Sequence, residues 1–373
     1  MKILTEHRPL LRAVAHAQGV VERRNTLPVL ANVLIDARDG TLRIAATDTD
    51  IEIIETVPDA QITTPGAAMA DARMFYEIVR KSPDGSQIEI EHDGKNDNLT
   101  IKVGRSRFQL RSINSEGFPA MSDDELPHRF VIGAEELRRL INKTRFIIPN
   151  EETRHYINGM YIHRKEIDGV EKMRAAVTDG HRLACISLTL PSGAEKIPGV
   201  IIPRKTINEL QKLLEGAEED VTCWFSENKC RFELDGVVMT SKLIDGTFPD
   251  YERVIPTDND RSLTVNGKIF SEAVDRVSTI TSEKSRAVKL ALESNLLRVS
   301  ASNLDGEDAQ EDIAANYSSE EMEIGFNGNY LLEISNACDG EDSAFSLKDA
   351  GSPAIIRDSE DEEVLYILMP MRI

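Results

Sequence analysis

The sequence predicts an α+β protein of three repeated domains, each with two helices packed on antiparallel sheet. Two helix patterns recur three times in the same order and at a similar period. Between them apolar and polar residues alternate with period two, which is typical of half-buried antiparallel strands. The 373 residues, 40% of them apolar, are enough to give each domain a sizeable core. We predict domains over residues 1–122, 128–252 and 260–373.

The first helix pattern follows a short strand-like stretch in each repeat. It reads MKILTEHRPLLRAVAHAQGVV, HRFVIGAEELRRLINKTRFII and RSLTVNGKIFSEAVDRVSTIT, starting at residues 1, 128 and 261. Leu10, Leu137 and Phe270 occupy matching places, so the period is 127 and then 133 residues.

The second helix pattern reads RMFYEIV, RKTINEL and GNYLLEI. These stretches start at residues 73, 204 and 328, so the period is 131 and then 124 residues. Each is followed by SPDG, LLEG or ACDG, where glycine can end a helix in the left-handed conformation. Two independent patterns with one period indicate a true repeat.

Strand patterns and turns fill the space between the helices of the first repeat. Alternation covers residues 41–45, 51–55, 87–91, 99–103 and 107–110. The Asp-Gly pairs at 39–40 and 93–94 are typical of hairpin turns. The repeats are separated by linkers that carry a Phe-Pro pair, at 118–119 and at 248–249, followed by an acidic stretch.

The formal net charge of −20 argues against a nucleic-acid partner, unless the charges are segregated. The six predicted helices cover residues 8–24, 72–81, 135–146, 204–215, 268–286 and 328–338. Together they carry +8, which leaves −28 for the rest of the chain. A shared helical surface could therefore face phosphates while the sheets repel them. The alternative is that helix surfaces simply favour lysine and arginine.

Cysteine usage and the apolar runs exclude several classes of protein. Cys185, Cys223, Cys230 and Cys338 form no CxxC pair and have no histidine at metal-ligand spacing. We expect reduced, mostly buried thiols and no metal or cofactor. The sequence contains no run of about 18 apolar residues, the length that a membrane-spanning helix needs. The charged N-terminus lacks a secretory signal pattern. A cytoplasmic location is expected.

Five short motifs occur in order along the chain: RNTLPVL, YINGM, TDGHRL, FPDY and MPMRI, at residues 24–30, 156–160, 178–183, 248–251 and 369–373. With these spacings the whole chain resembles the beta subunit of bacterial DNA polymerase III, the DNA sliding clamp family. The resemblance implies a head-to-tail homodimer whose six domains form a ring, with basic helices inside and sheets outside. Such a ring encircles duplex DNA and tethers the catalytic subunit of the replicative polymerase. The clamp loader, other polymerases and repair proteins are further implied partners.

The resemblance also implies which residues close the ring. Matching interface positions are Arg105, Arg107, Phe108, Ile280, Asp305, Asp308 and Glu311. The interface is heterologous, so the two edges of one protomer are different surfaces. We expect the apolar contact and sheet continuation to dominate, because exposed ion pairs stabilise little. Thr279 stands where the family tends to have an apolar residue.

A hydrophobic groove for short linear peptides is the second implied site. Its matching residues are Arg154, Tyr156, Ile157, Thr178, Gly180, His181, Arg182, Leu183, Pro249, Val254, Asn327, Tyr330, Ile367, Met369, Pro370, Met371 and Arg372. Methionine adapts to different peptides, glycine permits close backbone approach and Tyr156 offers an aromatic anchor. The alternative for the C-terminal residues is a last strand and a frayed tail. Pro353 departs from the family pattern.

DNA contacts are expected to reach phosphates and not base edges, because a clamp must slide. Positions resembling the family's DNA-contacting residues are Arg24, Arg73, His155 and Tyr156, and we add Arg204 and Lys205 on grounds of charge. His155 replaces an aromatic residue, and Glu151 stands where a neutral amide is common. We expect weak, salt-dependent and sequence-independent affinity. The alternative is that these are ordinary solvated surface charges.

Two other classes of protein would account for parts of the sequence. Asp179 and His181 offer an acid and a base, but no nucleophile, phosphate-loop or HExxH motif accompanies them, so we do not expect an enzyme. An acidic three-repeat structural protein without topological DNA binding would explain the repeats and the acidity. It would not explain basic helices. Activity without partners would indicate an enzyme, and a failure to associate with DNA would indicate the structural protein.

Overall fold

The computed structural model describes residues 1–22, 27–94, 97–122, 125–150, 153–281 and 286–372. These residues form six helices: α1 His7–Val20, α2 Ala72–Arg80, α3 Ala134–Asn142, α4 Arg204–Leu213, α5 Gly267–Ser278 and α6 Gly328–Ser335. Each predicted domain therefore holds two helices, in the predicted order. Every helix is shorter than the sequence pattern indicated.

The strands pair antiparallel throughout the described residues. In the first predicted domain they are β1 Lys2–Glu6, β2 Asn32–Ala37, β3 Leu42–Thr47, β4 Ile51–Val57, β5 Gln61–Thr64, β6 Gly66–Asp71, β7 Gln87–His92, β8 Asn98–Val103 and β9 Ser106–Ile113. In the second they are β10 His128–Ile132, β11 Gly159–Ile167, β12 Val170–Thr178, β13 Arg182–Thr189, β14 Val200–Pro203, β15 Val221–Phe225, β16 Lys229–Leu234 and β17 Val237–Lys242. In the third they are β18 Arg261–Asn266, β19 Ala287–Glu293, β20 Leu296–Ser302, β21 Asp308–Ala314, β22 Asn316–Tyr317, β23 Met322–Asn327, β24 Asp342–Leu347, β25 Ala354–Asp358 and β26 Asp361–Leu368. The α+β fold is confirmed.

The strand-then-helix repeat is formed by β1 and α1, β10 and α3, and β18 and α5. In α1 the apolar residues Leu10, Ala13, Val14 and Ala17 follow helical spacing and are all buried. Burial of a side chain such as Leu10 contributes about 1.5–3 kcal/mol. Helix starts are fixed by side-chain caps where a short polar residue precedes the helix, as at the end of β18, where Asn266 accepts the Ile269 N–H at 3.1 Å.

Two compact units divide the chain. The first comprises residues 1–138, 191–198 and 205–243, and its thirteen strands run β10-β15-β16-β17-β4-β3-β2-β6-β9-β8-β7-β1-β5. The second comprises residues 139–190, 199–204 and 244–373 and holds a nine-stranded sheet, β14-β11-β12-β13-β26-β25-β24-β18-β22, and a four-stranded sheet, β21-β20-β19-β23. The predicted middle domain gives strands to both units because β17 pairs with β4 and β13 pairs with β26. The domain boundaries stay predictions.

The helices carry less positive charge than the sequence pattern suggested. Helix α1 ends at Val20 and α5 at Ser278, whereas the predicted helices extended to residues 24 and 286. With the observed bounds the six helices carry +4 and not +8, within a chain of −20. The helices keep the predicted positive sign, at half the predicted charge, and the rest of the chain carries −24.

The four thiols are free, and three of them are buried. Burial raises the pKa of Cys185 to about 12 and that of Cys338 to about 11, so both stay protonated at neutral pH. In the described part of the chain, no helix has the length and apolar character needed to cross a membrane.

Candidate binding cleft, sheet edges and basic face

A cleft of about 160 Å³ lies within the second unit. It is lined by Arg154, Ile157, Thr178, Gly180, His181, Arg182, Leu183, Pro249, Asp250, Tyr251, Val254, Ile367 and Met369. Eleven of these were singled out from the sequence as groove residues. Asp250 and Tyr251 were not, although both lie in the FPDY motif.

The cleft has an apolar floor and an exposed apolar rim. Ile157, Leu183 and Ile367 are buried members of the core beneath it. At the rim Val254 and Met369 keep 45% and 41% of their surface exposed. A buried floor below exposed apolar side chains suits an apolar group that docks from solution.

The turn between β12 and β13 is built by its own side chains. The Asp179 carboxylate accepts the N–H groups of His181 and Arg182 at 2.9 and 3.0 Å. Thr178 Oγ1 accepts the Gly180 N–H at 3.0 Å and donates to the Arg182 carbonyl at 2.8 Å. These residues favour such local bonds. Asp179 and His181 therefore lie in a turn and not on a regular strand, and the carboxylate is occupied in holding that turn.

Gly180 is required in this turn for two reasons. Its φ of +89° lies in the left-handed region, which other residues rarely adopt. A Cβ there would also lie 2.9 Å from Nη2 of Arg154. The missing side chain thus lets the Arg154 guanidinium cover the turn at the mouth of the cleft.

Arg182 joins the turn to helix α6. Its buried guanidinium lies 4.1 Å from the centroid of the Tyr330 ring, and Nη1 lies 2.5 Å from Glu333 Oε2. Its Nε donates to Asp179 Oδ2 at 3.0 Å. Arg182 is therefore held by two carboxylates and an aromatic ring.

The C-terminal segment is fixed by backbone bonds. After β26, the Met369 N–H donates to the His181 carbonyl at 3.0 Å, and the Met371 N–H donates to the Gly325 carbonyl at 2.7 Å. The described part of this segment is therefore not a frayed tail. Six predicted groove residues lie outside the cleft lining: Tyr156, Asn327, Tyr330, Pro370, Met371 and Arg372. Asn327 caps α6, and Arg372 lines a separate groove over the four-stranded sheet.

Tyr251 forms one wall of the cleft and is fixed from behind by His163. The Nδ1 atom of His163 lies 2.7 Å from the Arg164 carbonyl, which can only accept, so Nδ1 carries the proton and Nε2 accepts from the Tyr251 hydroxyl at 2.8 Å. Tyr161 stacks between His163 and Phe248, with centroid distances of 4.6 and 4.9 Å. Burial lowers the pKa of His163 and raises that of Tyr251, so both are neutral at neutral pH.

Strand β9 has an open edge in the first unit. It pairs with β8 along Ser106–Arg111 but meets β6 only at Ser112 and Ile113. Phe108 on this strand is 37% exposed, beside a groove of about 550 Å³ that Ile78 and Arg105 also line.

Strand β21 has an open edge in the second unit, where it pairs only with β20 among the described residues. It carries Asp308, Glu311 and Asp312, whereas β9 carries arginines. Within its own chain Glu311 already binds Arg276 at 2.7 and 2.9 Å, and that hydrogen-bonded ion pair lowers the pKa of Glu311. Arg298 binds Asp312 at 2.8 Å.

The predicted DNA-contacting residues have unlike surroundings. Arg73 is exposed on α2, and His155 and Tyr156 lie in a 3-10 turn with ring centroids 5.8 Å apart. Arg24 and Glu151 lie outside the described residues.

The two basic residues that begin α4 are engaged within the protein. Arg204 donates to the Ile148 carbonyl, and its pKa is lowered by burial and by Arg145. Lys205 Nζ donates to Asp48 Oδ2 at 2.5 Å and to the Val20 carbonyl, the last residue of α1, at 2.8 Å. A helix C-terminus attracts cations, so Lys205 has a structural use that its charge alone did not reveal.

Known protein families, curated proteins and solved structures match this chain along its whole length. Family models described as the N-terminal, central and C-terminal domains of the DNA polymerase III beta subunit match residues 1–122, 131–250 and 252–372. The curated beta sliding clamps of Caulobacter vibrioides and Escherichia coli K12 are 47% and 35% identical over 373 and 375 residues, covering 100% of both chains in each case. A crystal structure of a DnaN sliding clamp from Bartonella birtlesii, bound to griselimycin, has a TM-score of 0.96 and 47% identity, again over 100% of both chains.

Proposed function

The chain belongs to the DNA polymerase III beta subunit family, the bacterial DNA sliding clamps, and we propose which of its surfaces close the ring, receive partners and follow the DNA. The protein is a DNA sliding clamp with three clamp domains, and end-to-end identity of 47% with a curated clamp carries that conclusion. This function is favoured over that of an acidic structural protein. We propose that the clamp acts without catalysis of its own, as a topological tether.

The ring is proposed to close head to tail, with β9 of one copy beside β21 of the other. Two open edges of opposite charge support this pairing, because an added strand satisfies the free N–H and C=O groups of both. Phe108 then packs against Ile280. Since Glu311 already binds Arg276, we propose that Arg105 and Arg107 meet chiefly Asp305 and Asp308.

The cleft is proposed to receive short linear peptides that insert an apolar side chain over Leu183 and Ile367. Its apolar floor and adaptable Met369 support this use, and the polymerase, the clamp loader and repair proteins would then compete for one site. Because the Bartonella relative was crystallised bound to griselimycin, we expect that compound to bind this chain, and we propose the cleft as its site.

The cleft assignment is tested by griselimycin titration. Val254→Asp and Met369→Asp place charge on the exposed rim without touching the floor, and each should weaken binding at least about tenfold, or 1.4 kcal/mol. Val170→Asp is the matched control, since Val170 is 58% exposed and lies outside the cleft lining. Unchanged affinity in both rim variants would remove the cleft from the proposal.

DNA contact is proposed to be weak, directed to phosphates and independent of sequence, with exposed Arg73 as a contributor. The function itself is tested by loading the protein with a matched clamp loader and ATP onto nicked circular duplex, followed by a high-salt wash. Retention on circles and loss after linearisation is the expected result. Equal retention on both forms would mean ordinary surface binding, and retention on neither with an active loader would reject the clamp.

A further inference from the structure

Leu304 and Met74 are among the exposed apolar side chains that none of the sites above uses. Leu304 is 98% exposed in the connection between β20 and β21, and Met74 is 50% exposed on α2. We propose that in the closed ring Leu304 of one copy packs against Met74 of the other, as a second apolar contact beside Phe108 and Ile280. This inference rests on the proposed head-to-tail interface and adds a specificity-determining pair to it.

The Leu304 loop is held in a defined shape by Asn303. The Asn303 Oδ1 atom accepts the N–H groups of Asp305 and Glu307, both at 3.0 Å. Its Nδ2 donates to Glu307 Oε2 at 2.5 Å and to the Ile280 carbonyl at 3.2 Å. Leu304 is thus presented to solvent by a loop bonded directly to the segment that carries Ile280. A leucine that is almost fully exposed beside a proposed interface offers apolar surface that a contact across that interface would bury.

Met74 extends the apolar surface that is proposed to receive Ile280. Ile78 lines the groove beside Phe108, and Met74 lies four residues earlier on the same face of α2. One such step is about 6 Å along a helix. The first unit therefore has two apolar contact positions. Ile78 and Phe108 form one, and Met74 forms the other, about one helical turn away.

The second unit brings its two apolar residues, Ile280 and Leu304, close together. Asn303, which precedes Leu304, donates a hydrogen bond from Nδ2 to the Ile280 carbonyl, and this bond ties Leu304 to the segment that carries Ile280. When Ile280 covers Ile78 and Phe108, the tethered Leu304 reaches the adjoining turn of α2. The charges of the two surfaces are complementary, because acidic Asp305 and Glu307 flank Leu304, while basic Lys81 and Arg105 outnumber Glu77 in the groove. Continuity with the proposed interface and this complementarity identify a second copy of the chain as the occupant.

The pair is tested by exchanging the apolar contact for an ionic one. We expect Leu304→Glu to weaken the dimer about tenfold in sedimentation equilibrium, which corresponds to about 1.4 kcal/mol. Met74→Lys alone loses the apolar contact but brings an ammonium towards Asp305 and Glu307, so it should weaken the dimer less than Leu304→Glu does. The double variant should return to within about threefold of the wild-type dissociation constant. Both positions are exposed, so folding is preserved. Val170→Glu, at a similarly exposed valine away from both edges, should leave the dimer unchanged.

Phe108→Asp serves as a second variant, which shows whether a negative result concerns only the Leu304–Met74 pair or the whole proposed ring interface. If Phe108→Asp dissociates the dimer and Leu304→Glu does not, the Leu304 contact is overturned and the interface stands. Weakening by Leu304→Glu without recovery in the double variant overturns Met74 as its partner. A dimer untouched by Phe108→Asp overturns the proposed interface, and the pair with it.

Discussion

The guanidinium of Arg182 lies 4.1 Å from the centroid of the Tyr330 ring and thereby connects the β12–β13 turn to helix α6. Its charge is balanced by Asp179 and Glu333, and its side chain is 5% exposed. We predict that Arg182→Met lowers the free energy of unfolding by about 2–3 kcal/mol, since it leaves the partly buried Asp179 carboxylate without its cation. Urea denaturation measures the change.

Arg253 provides a matched control for Arg182. It also pairs with an aspartate three residues earlier, Asp250 at 2.7 Å, but its side chain is 83% exposed. Arg253→Met should cost less than about 0.5 kcal/mol, because exposed pairs contribute little. Equal losses in the two variants would show that burial of Arg182 is irrelevant to its role.

Gly180→Ala should disturb both the turn and the cleft. The positive φ costs about 1–2 kcal/mol for an alanine, and the new Cβ displaces the Arg154 guanidinium at the mouth. Griselimycin affinity should fall about tenfold, a change of 1.4 kcal/mol. Gly169→Ala is the control, because Gly169 has a φ of +78° with open space around its Cβ position. It should lose stability alone, and a loss of griselimycin binding there would contradict the steric argument.

The repeat and the secondary structure could be predicted because they depend on local patterns. Leu10 and Phe270 match across the repeats and are both buried, and the Asp-Gly turn at 39–40 has positive φ at both residues. Helix ends were predicted too late, because basic residues continue the helical pattern after the backbone has already turned extended at Val21. Sequence pattern records amphipathicity and not the residue at which hydrogen bonding stops.

The candidate site was predictable only where its residues are contiguous. Thr178 to Leu183 form one motif, so these cleft residues were predicted together from the sequence, although the turn that they form was not. Lys205 was judged by charge alone, because its partners Val20 and Asp48 are more than 150 residues away along the chain. The same holds for His163, which reaches Tyr251 across 88 residues and carries no motif of its own. Long-range partners of this kind follow from the folded topology.

His163 should make stability depend on pH below about 6.5, the usual histidine pKa. Burial lowers its pKa in the fold, so the unfolded chain binds a proton that the folded chain resists. Stability is therefore unaffected at pH 8 and decreases as pH falls through the unfolded pKa. We predict that wild type loses more stability than His163→Phe between pH 8 and 5.5. The charged groups near His163 are Arg174, Lys165 and Glu252, and both proteins contain all three.

Tyr251→Phe completes the test of this pair. His163→Phe leaves the Tyr251 hydroxyl without its acceptor, at a cost of about 1 kcal/mol at every pH. The double variant His163→Phe/Tyr251→Phe removes the unsatisfied hydroxyl. It should regain the stability lost in His163→Phe and keep the weaker pH dependence. A wild-type pH dependence in His163→Phe would mean that another group titrates.

Variants of Lys205 and Arg73 should distinguish a charge that stabilises the fold from a charge that contacts DNA. Lys205 is 32% exposed and bound to Asp48, so Lys205→Met should lower the free energy of unfolding by about 1 kcal/mol and leave the salt dependence of DNA binding unchanged. Arg73 is exposed, so Arg73→Met should keep stability within about 0.5 kcal/mol and reduce the slope of log affinity against log salt by about one on linear duplex. The two variants control for each other, because each removes one positive charge from a helix and both are measured on the same DNA. If Lys205→Met reduces the slope as much as Arg73→Met, the ammonium leaves Asp48 for a phosphate when DNA is present, and its contact with the end of α1 is not its main use.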